Sequence, residues 1–272
     1  MTHPSSRTLA FQQLHASGCF VMPNPWDAGS ARLLAQLGFS ALATTSAGFA
    51  WSLGKADNRV TLDELLVHLR TITRAVDVPV NADFEGGFAI EPADVADNIT
   101  VAITTGIAGL SIEDSTGDDS RPLHDYSLSV ERIRAARLAI DATGSGVVLT
   151  ARSEGFIVGR PDLAETIRRL TAFANAGADC LYAPGVSDPK DIAAIVRAVA
   201  PRPVNVLAYS DFSTVAQLEA LGVRRISVGG ALARAAFTSA MRAAVEIAER
   251  GTFGGLTTAG ARLDFDAAFR SS

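Results

Sequence analysis

Basic charge is scarce in this chain: 24 Lys and Arg against 29 Asp and Glu leave a formal net charge of -5. With no Lys/Arg-rich run either, nucleic acid and an anionic membrane surface are not expected partners, since both call for a basic face. Cysteine is nearly absent. Cys19 and Cys180 are the only two and form no C-x-x-C pair, which argues against a disulfide framework or a zinc ribbon and favours a reducing cytoplasm. No apolar run is long enough to cross a bilayer, and the polar start from Met1 to Ala10 has no apolar signal core, so neither export nor anchoring is expected. Nucleotide fingerprints are missing as well. No G-x-G-x-x-G follows the first apolar segment, and no G-x-x-x-x-G-K-[ST] occurs.

What is present is a regular alternation along 272 residues, 48% of them hydrophobic. Short apolar runs read as strands at Cys19–Met22, Ser40–Thr45, Val78–Asp83, Gly109–Asp114, Gly146–Arg152, Ala178–Tyr182, Pro203–Leu207 and Arg225–Val228. Between them fall helical segments at Ala28–Leu37, Leu62–Ala75, Pro92–Thr105, Val130–Ala142, Leu163–Ala176, Lys190–Ala200 and Thr214–Leu221, with a first helix at Arg7–Ser17 and a long last one at Ala231–Arg250. Asp27 and Thr61 are placed to cap the helices that follow them. Eight strands at roughly thirty residues per unit predict an α/β fold, a single (β/α)8 TIM-type barrel, rather than an open doubly wound sheet. The expected division is a lead and helix over 1–17, the barrel over 18–250 and a C-terminal helical extension over 251–272, all one domain.

In such barrels the chemistry sits at the carboxyl ends of the strands. The most informative end is Val78-Pro-Val-Asn-Ala-Asp-Phe-Glu-Gly-Gly-Phe88. Asp83 and Glu85 are two apart and so project to one side of an extended segment. Paired carboxylates raise each other's pKa or call in a cation, and an all-oxygen pocket suits a hard ion, Mg2+ or alternatively Mn2+. The other strand ends supply Asn24 and Asp27, Thr45 and Ser46, Glu113 and Asp114, Arg152 and Glu154, Asn205, and Ser227. Carboxylates from adjacent strands with an arginine opposite predict a metal site beside a small carboxylate substrate, which guanidinium grips in bidentate fashion. Asn205 reads either as a site polar group or as a satisfied strand-end amide. Ser227 with Gly229 and Gly230 reads as a plain tight turn rather than an anion site at the start of the last helix, and His15 and His68 as structural.

The succession P-N-P-W-D-A-G-S-A-R-L from Pro23, L-G-x-x-D ending at Asp57, A-D-F-E-G-G-F from Ala82, I-E-D from Ile112, A-R-S-E from Ala151 and A-G-A-D-C-L from Ala176 resembles the isocitrate lyase and phosphoenolpyruvate mutase superfamily. The resemblance implies Mg2+ held by Asp83, Glu85 and Glu113. It implies Asp57 as the catalytic-loop carboxylate, Glu113 and Arg152 at the reacting centre, and Arg152 and a Thr45-Ser46-Ala47 loop binding a carboxylate or phosphoryl oxygen. It further implies a homodimer or homotetramer whose subunits exchange the last barrel helix.

The shared chemistry of that superfamily passes through an enolpyruvate-type anion. The expected reaction is carbon-carbon cleavage of a small 2-oxo or 2-hydroxy acid, resembling 2-methylisocitrate lyase or oxaloacetate decarboxylase. The alternatives are phosphorus-carbon chemistry, by a phosphonomutase or phosphonopyruvate hydrolase, and a barrel that binds a dicarboxylate without turnover. One departure bears on the choice. The lyases carry K-[KR]-C-G-H after the fourth strand, whereas residues 114–125 here contain neither Cys nor Lys, leaving Arg121 and His124 as candidate substitutes for the acid.

Overall fold

The computed structural model describes residues 3–257 and 264–270. Its elements in order are α1 (Ser6–Ala16), β1 (Phe20–Met22), α2 (Ala28–Gln36), β2 (Leu42–Ala43), α3 (Ser46–Ser52), α4 (Leu62–Ala75), β3 (Val80–Asp83), α5 (Pro92–Ile103), β4 (Gly109–Glu113) and α6 (Tyr126–Thr143). The second half runs β5 (Val148–Arg152), α7 (Leu163–Asn175), β6 (Cys180–Tyr182), α8 (Pro189–Val199), β7 (Val204–Leu207), α9 (Val215–Ala220), β8 (Arg225–Ser227), α10 (Ala231–Arg250) and α11 (Phe265–Arg270).

All eight strands are parallel, ordered β1-β8-β7-β6-β5-β4-β3-β2. The barrel is nearly closed. No ladder joins β1 to β2, yet the Ala43 amide donates to the Pro23 carbonyl over 3.1 Å and the Asn24 amide group to the Thr44 carbonyl over 2.9 Å. Strands covered on both faces read as near-continuous apolar runs: Leu110 and Ile112 on β4 and Leu149 and Ala151 on β5 are all sealed in one core. The helices show why they start where they do. The Asp27 carboxylate accepts from the Ser30 amide at 2.7 Å, and Thr61 and Glu64 cap each other at the start of α4, whose Leu65, Leu69 and Ile72 face inward. Underneath, Phe11 of α1 closes the barrel floor; a Cβ on Gly109 would come within 2.5 Å of its ring, so only glycine leaves room there.

Two stretches differ from expectation. The segment read as a strand over Ser40–Thr45 is extended and paired only at Leu42–Ala43, and the Thr45-Ser46-Ala47 loop is the cap and first turn of α3. The reason is local: the Thr45 hydroxyl accepts from the Gly48 amide and winds the chain at once. The helix expected from Val130 begins four residues earlier at Tyr126. The last helix matches its expected bounds but stands off the barrel, with only Ala233 and Ala243 of its twenty residues buried. Of the expected extension, residues 258–263 and 271–272 lie outside the described residues. The described part returns to the body, where the Phe269 carbonyl accepts from Arg32 at 2.7 Å. No helix among the described residues is long and apolar enough to cross a membrane.

Candidate active site

The carboxyl ends of β3, β4 and β5 lie side by side because Asp83 pairs in register with Ser111, and Glu113 with Arg152. That register delivers one cation among three acids. Arg152 Nη1 donates to Asp83 Oδ1 at 2.7 Å, Nη2 lies 3.1 Å from Glu113 Oε2, and Nε donates to Glu154 Oε1 at 2.8 Å. Beneath it the guanidinium lies 5.2 Å from the Tyr182 ring centre. Burial works against the charge of Arg152, but Glu154, Glu113 and Asp83 together hold it firmly protonated. The acids share the shortage: burial pushes Glu154 up to about 8 against the pull of Arg152 and raises Glu113 as well.

Glu85 reaches the same space from the turn after β3. Burial, with the charges of Asp83, Glu113 and Asp57, pushes it up to about 8. Asp57 stands at the open rim, where the packing around its carboxyl and the Asp83 charge raise its pKa, opposed by bonds from the Asn58 amide and the Ser46 hydroxyl. Above these acids opens a cavity of about 850 Å3, lined among others by Asp57, Glu85, Phe88, Glu113, Arg121 and His124. It holds a small polar molecule comfortably.

Of the expected substrate contacts, Arg152 is engaged by Asp83, Glu113 and Glu154, and the others are engaged or placed elsewhere. The Ser46 amide is already taken, donating to Asp83 Oδ2 at 3.0 Å, while the Thr45 hydroxyl caps α3. Ala47 lines a neighbouring groove with Trp51 and Gly230. Asn205 is 1% exposed and occupied at both ends, accepting from Arg225 Nε at 2.9 Å and donating to Ser227 Oγ at 3.0 Å. The amides after β8 are spoken for too, since Val228 and Gly229 both donate to Asn24 Oδ1 at 2.9 Å. The loop histidine is buried: burial, then Arg132 and Arg121, push His124 down to about 4, so it is neutral and no proton donor near pH 7.

Whether the acids suit a divalent cation depends on their chemistry rather than on their present spacing. Among the described residues no three His, Cys, Asp or Glu side chains converge on one point, because Arg152 stands between Asp83 and Glu113. Yet the donors are all carboxylate oxygens, and Asp57, Asp83, Glu85, Glu113 and Glu154 face a single guanidinium. Such an excess of carboxylates over cations fits a hard divalent ion.

Sequence reasoning noted Glu154 at a strand end without giving it a task; its position two residues beyond Arg152 was the available signal. Asp114 works from behind, accepting from the Glu154 amide at 2.8 Å and from Arg169 at 3.1 Å. Tyr182, Arg169 and Arg132 carried no local signal, because their contacts come from distant elements.

The family model described as phosphoenolpyruvate phosphomutase matches residues 11–248. A crystal structure from Burkholderia cenocepacia J2315, described as a lyase/mutase, is 48% identical, superimposes with a TM-score of 0.93, and the alignment covers 97% of this chain and 96% of that one. Oxaloacetate decarboxylase 2 of Pseudomonas fluorescens is 28% identical over 254 residues, 90% of this chain and 84% of its own length. The 2-methylisocitrate lyase of Escherichia coli K12 is 32% identical over 168 residues, 60% of this chain and 56% of its own. A barrel of this strand order, with its acids gathered at the ends of β3 to β5 and a family match along nearly its whole length, belongs to the phosphoenolpyruvate phosphomutase family, within the phosphoenolpyruvate mutase and isocitrate lyase superfamily.

Proposed function

We propose that this chain is a Mg2+-dependent enzyme, with Mn2+ as the alternative ion, that breaks a carbon-carbon bond in a small 2-oxo or 2-hydroxy carboxylic acid and passes through an enolpyruvate-type anion. The observation that carries this reading is Arg152, a buried cation set among Asp83, Glu113 and Glu154 below an open cavity. A guanidinium so placed stabilises negative charge that develops next to it. Glu154 holds Nε, as Asp83 holds Nη1 and Glu113 Nη2.

Asp83, Glu85 and Glu113 would hold the divalent ion, whose chemistry is Lewis-acid polarisation of an oxygen beside the breaking bond. Asp57 at the cavity rim would deliver a proton to the departing carbon. That assignment replaces the loop Cys of the lyases, a task for which the neutral His124 is unsuited. The apolar wall at Phe88 and Ala89 accommodates a short alkyl substituent.

Phosphorus-carbon chemistry is the second reading, favoured by the description of the matching family model; on it, Asp57 faces the migrating phosphoryl group. A Mg2+-dependent assay by phosphorus and proton NMR against oxaloacetate, 2-methylisocitrate, phosphonopyruvate and phosphoenolpyruvate separates the two. Pyruvate from either carbon substrate supports the lyase reading. Phosphate release or phosphonate rearrangement replaces it with the second. Binding of oxalate with no product from any of the four would sink both for these substrates and point to a barrel that only binds.

A further inference from the structure

Behind the acidic turn lies a cation without a carboxylate of its own. Arg132 on α6 is 1% exposed, and its Nε and Nη1 have no hydrogen-bond partner among the described residues. Its remaining nitrogen, Nη2, donates to the carbonyl of Gly86. The carboxylates whose charges it feels most are Asp114 and Glu113, both outside hydrogen-bond reach.

The turn it touches is held in an unfavourable backbone conformation. Glu85, Gly87 and Phe88 take φ of 45°, 76° and 57°, a left-handed region that side chains such as Glu and Phe adopt only when their surroundings compel it. Other bonds restrain parts of the turn: the Gly87 amide donates to Phe84 at 2.9 Å and the Glu113 amide to Glu85 at 3.0 Å, while Asn98 donates to the Gly87 carbonyl at 3.0 Å. Arg132 is the side chain that takes the Gly86 carbonyl, and the fit is close enough that a Cβ on Gly86 would lie 3.4 Å from its Nη2.

On α6 the same buried face carries Ile133, Ala136 and Ile140, so a methionine at 132 would suit the helix packing better than an arginine. Burying a charge with unmade hydrogen bonds is costly, and an apolar residue of similar volume is often neutral or stabilising in its place. The arginine therefore serves the turn rather than the core.

We infer that Arg132 is a positioning residue which, by anchoring the Gly86 carbonyl and placing a positive charge behind the turn, aims the Glu85 carboxylate at the divalent cation. This rests on the reading of Asp83, Glu85 and Glu113 as the cation's ligands.

The test is Mn2+ binding to the whole chain followed by electron paramagnetic resonance, together with thermal melting in EDTA. Arg132→Met is expected to weaken Mn2+ binding roughly tenfold or more, as loss of a group supporting a metal ligand commonly does, while melting in EDTA at or above the wild-type temperature. Arg132→Lys, which keeps the charge, should recover part of the affinity, and Asn98→Ala should lose a smaller share of it. Wild-type affinity in Arg132→Met, with binding lost in Asp83→Asn, would overturn the role of Arg132 and leave the cation site standing. No Mn2+ binding by the wild type would overturn the cation site and this inference together. Should Arg132→Met fail to fold, wild-type Mn2+ affinity in both Arg132→Lys and Asn98→Ala overturns the inference, and weaker binding in both supports it.

Discussion

Arg152 on β5 and Asp83 on β3 meet at 2.7 Å across the end of the intervening β4. The two strands are not paired with each other, so the ion pair depends on β4 holding them in register. It also sets the competition at the heart of the site, since the carboxylate that would hold a cation is already held by a guanidinium.

Removing that carboxylate tests the competition directly. Asp83→Ala is expected to abolish the dependence of turnover on Mg2+ and to lower kcat/KM by about a hundredfold or more, a loss typical of deleting a group that stabilises developing charge. An unchanged rate and unchanged Mg2+ response, measured in the coupled pyruvate assay, would remove Asp83 from the cation site.

Asp57 is expected to act on the reaction rather than on affinity. Asp57→Ala should cut kcat by about two orders of magnitude, within the range for general acid catalysis, while the dissociation constant for oxalate changes by less than about threefold. Equal losses in both quantities would mean that Asp57 positions the substrate and does not move the proton.

Acid sensitivity of the fold is expected to trace in part to His68. It lies flat against Phe49 with ring centres 3.8 Å apart, its Nε2 has no partner among the described residues, and burial pushes its pKa down to about 4. The unfolded chain takes up that proton near pH 6.5 and the folded chain does not until about 4. Stability is therefore complete above pH 6.5 and falls as pH drops through the window to 4, by up to about 3 kcal/mol from this group. His68→Leu should flatten this acid limb in urea titrations at pH 5 and pH 8; an unaltered pH dependence would contradict the buried, neutral assignment.

The outer face of α10 is expected to be covered by a second copy of the chain. Phe237, Met241 and Val245 stand exposed along it, and they line a further apolar groove with Trp51 and Arg234, where the Arg234 guanidinium lies 4.7 Å from the Trp51 ring centre. Phe237→Asp should shift the molecular mass measured by light scattering towards that of a monomer. A wild type that is itself monomeric at micromolar concentration would end the expectation of helix exchange.

The barrel was legible in the chain because its causes are local. Apolar runs such as Gly109–Glu113 repeat eight times, capping pairs such as Thr61 with Glu64 mark helix starts between them, and strand ends carry the carboxylates Asp83 and Glu113. The clustering of Asp83, Glu85, Glu113 and Arg152 could be anticipated for the same reason. A local capping bond hid the helical start at Ser46, because Thr-Thr-Ser suits a strand end as well as an N-cap. Asn205 could not be assigned from its position, since its partners Arg225 and Ser227 lie on the neighbouring strand β8.

The sequence by itself determined the alternation of strands and helices, the family, and which strand ends carry acid. Only the tertiary structure decided that Arg152 would sit among those acids, that Glu154 would hold its Nε, that His124 would be neutral, and that Arg132 would stand behind the Glu85 turn. Periodicity and capping act over a few residues and leave their mark on the chain, whereas a buried charge answers to whatever the closed barrel brings within a few ångströms of it.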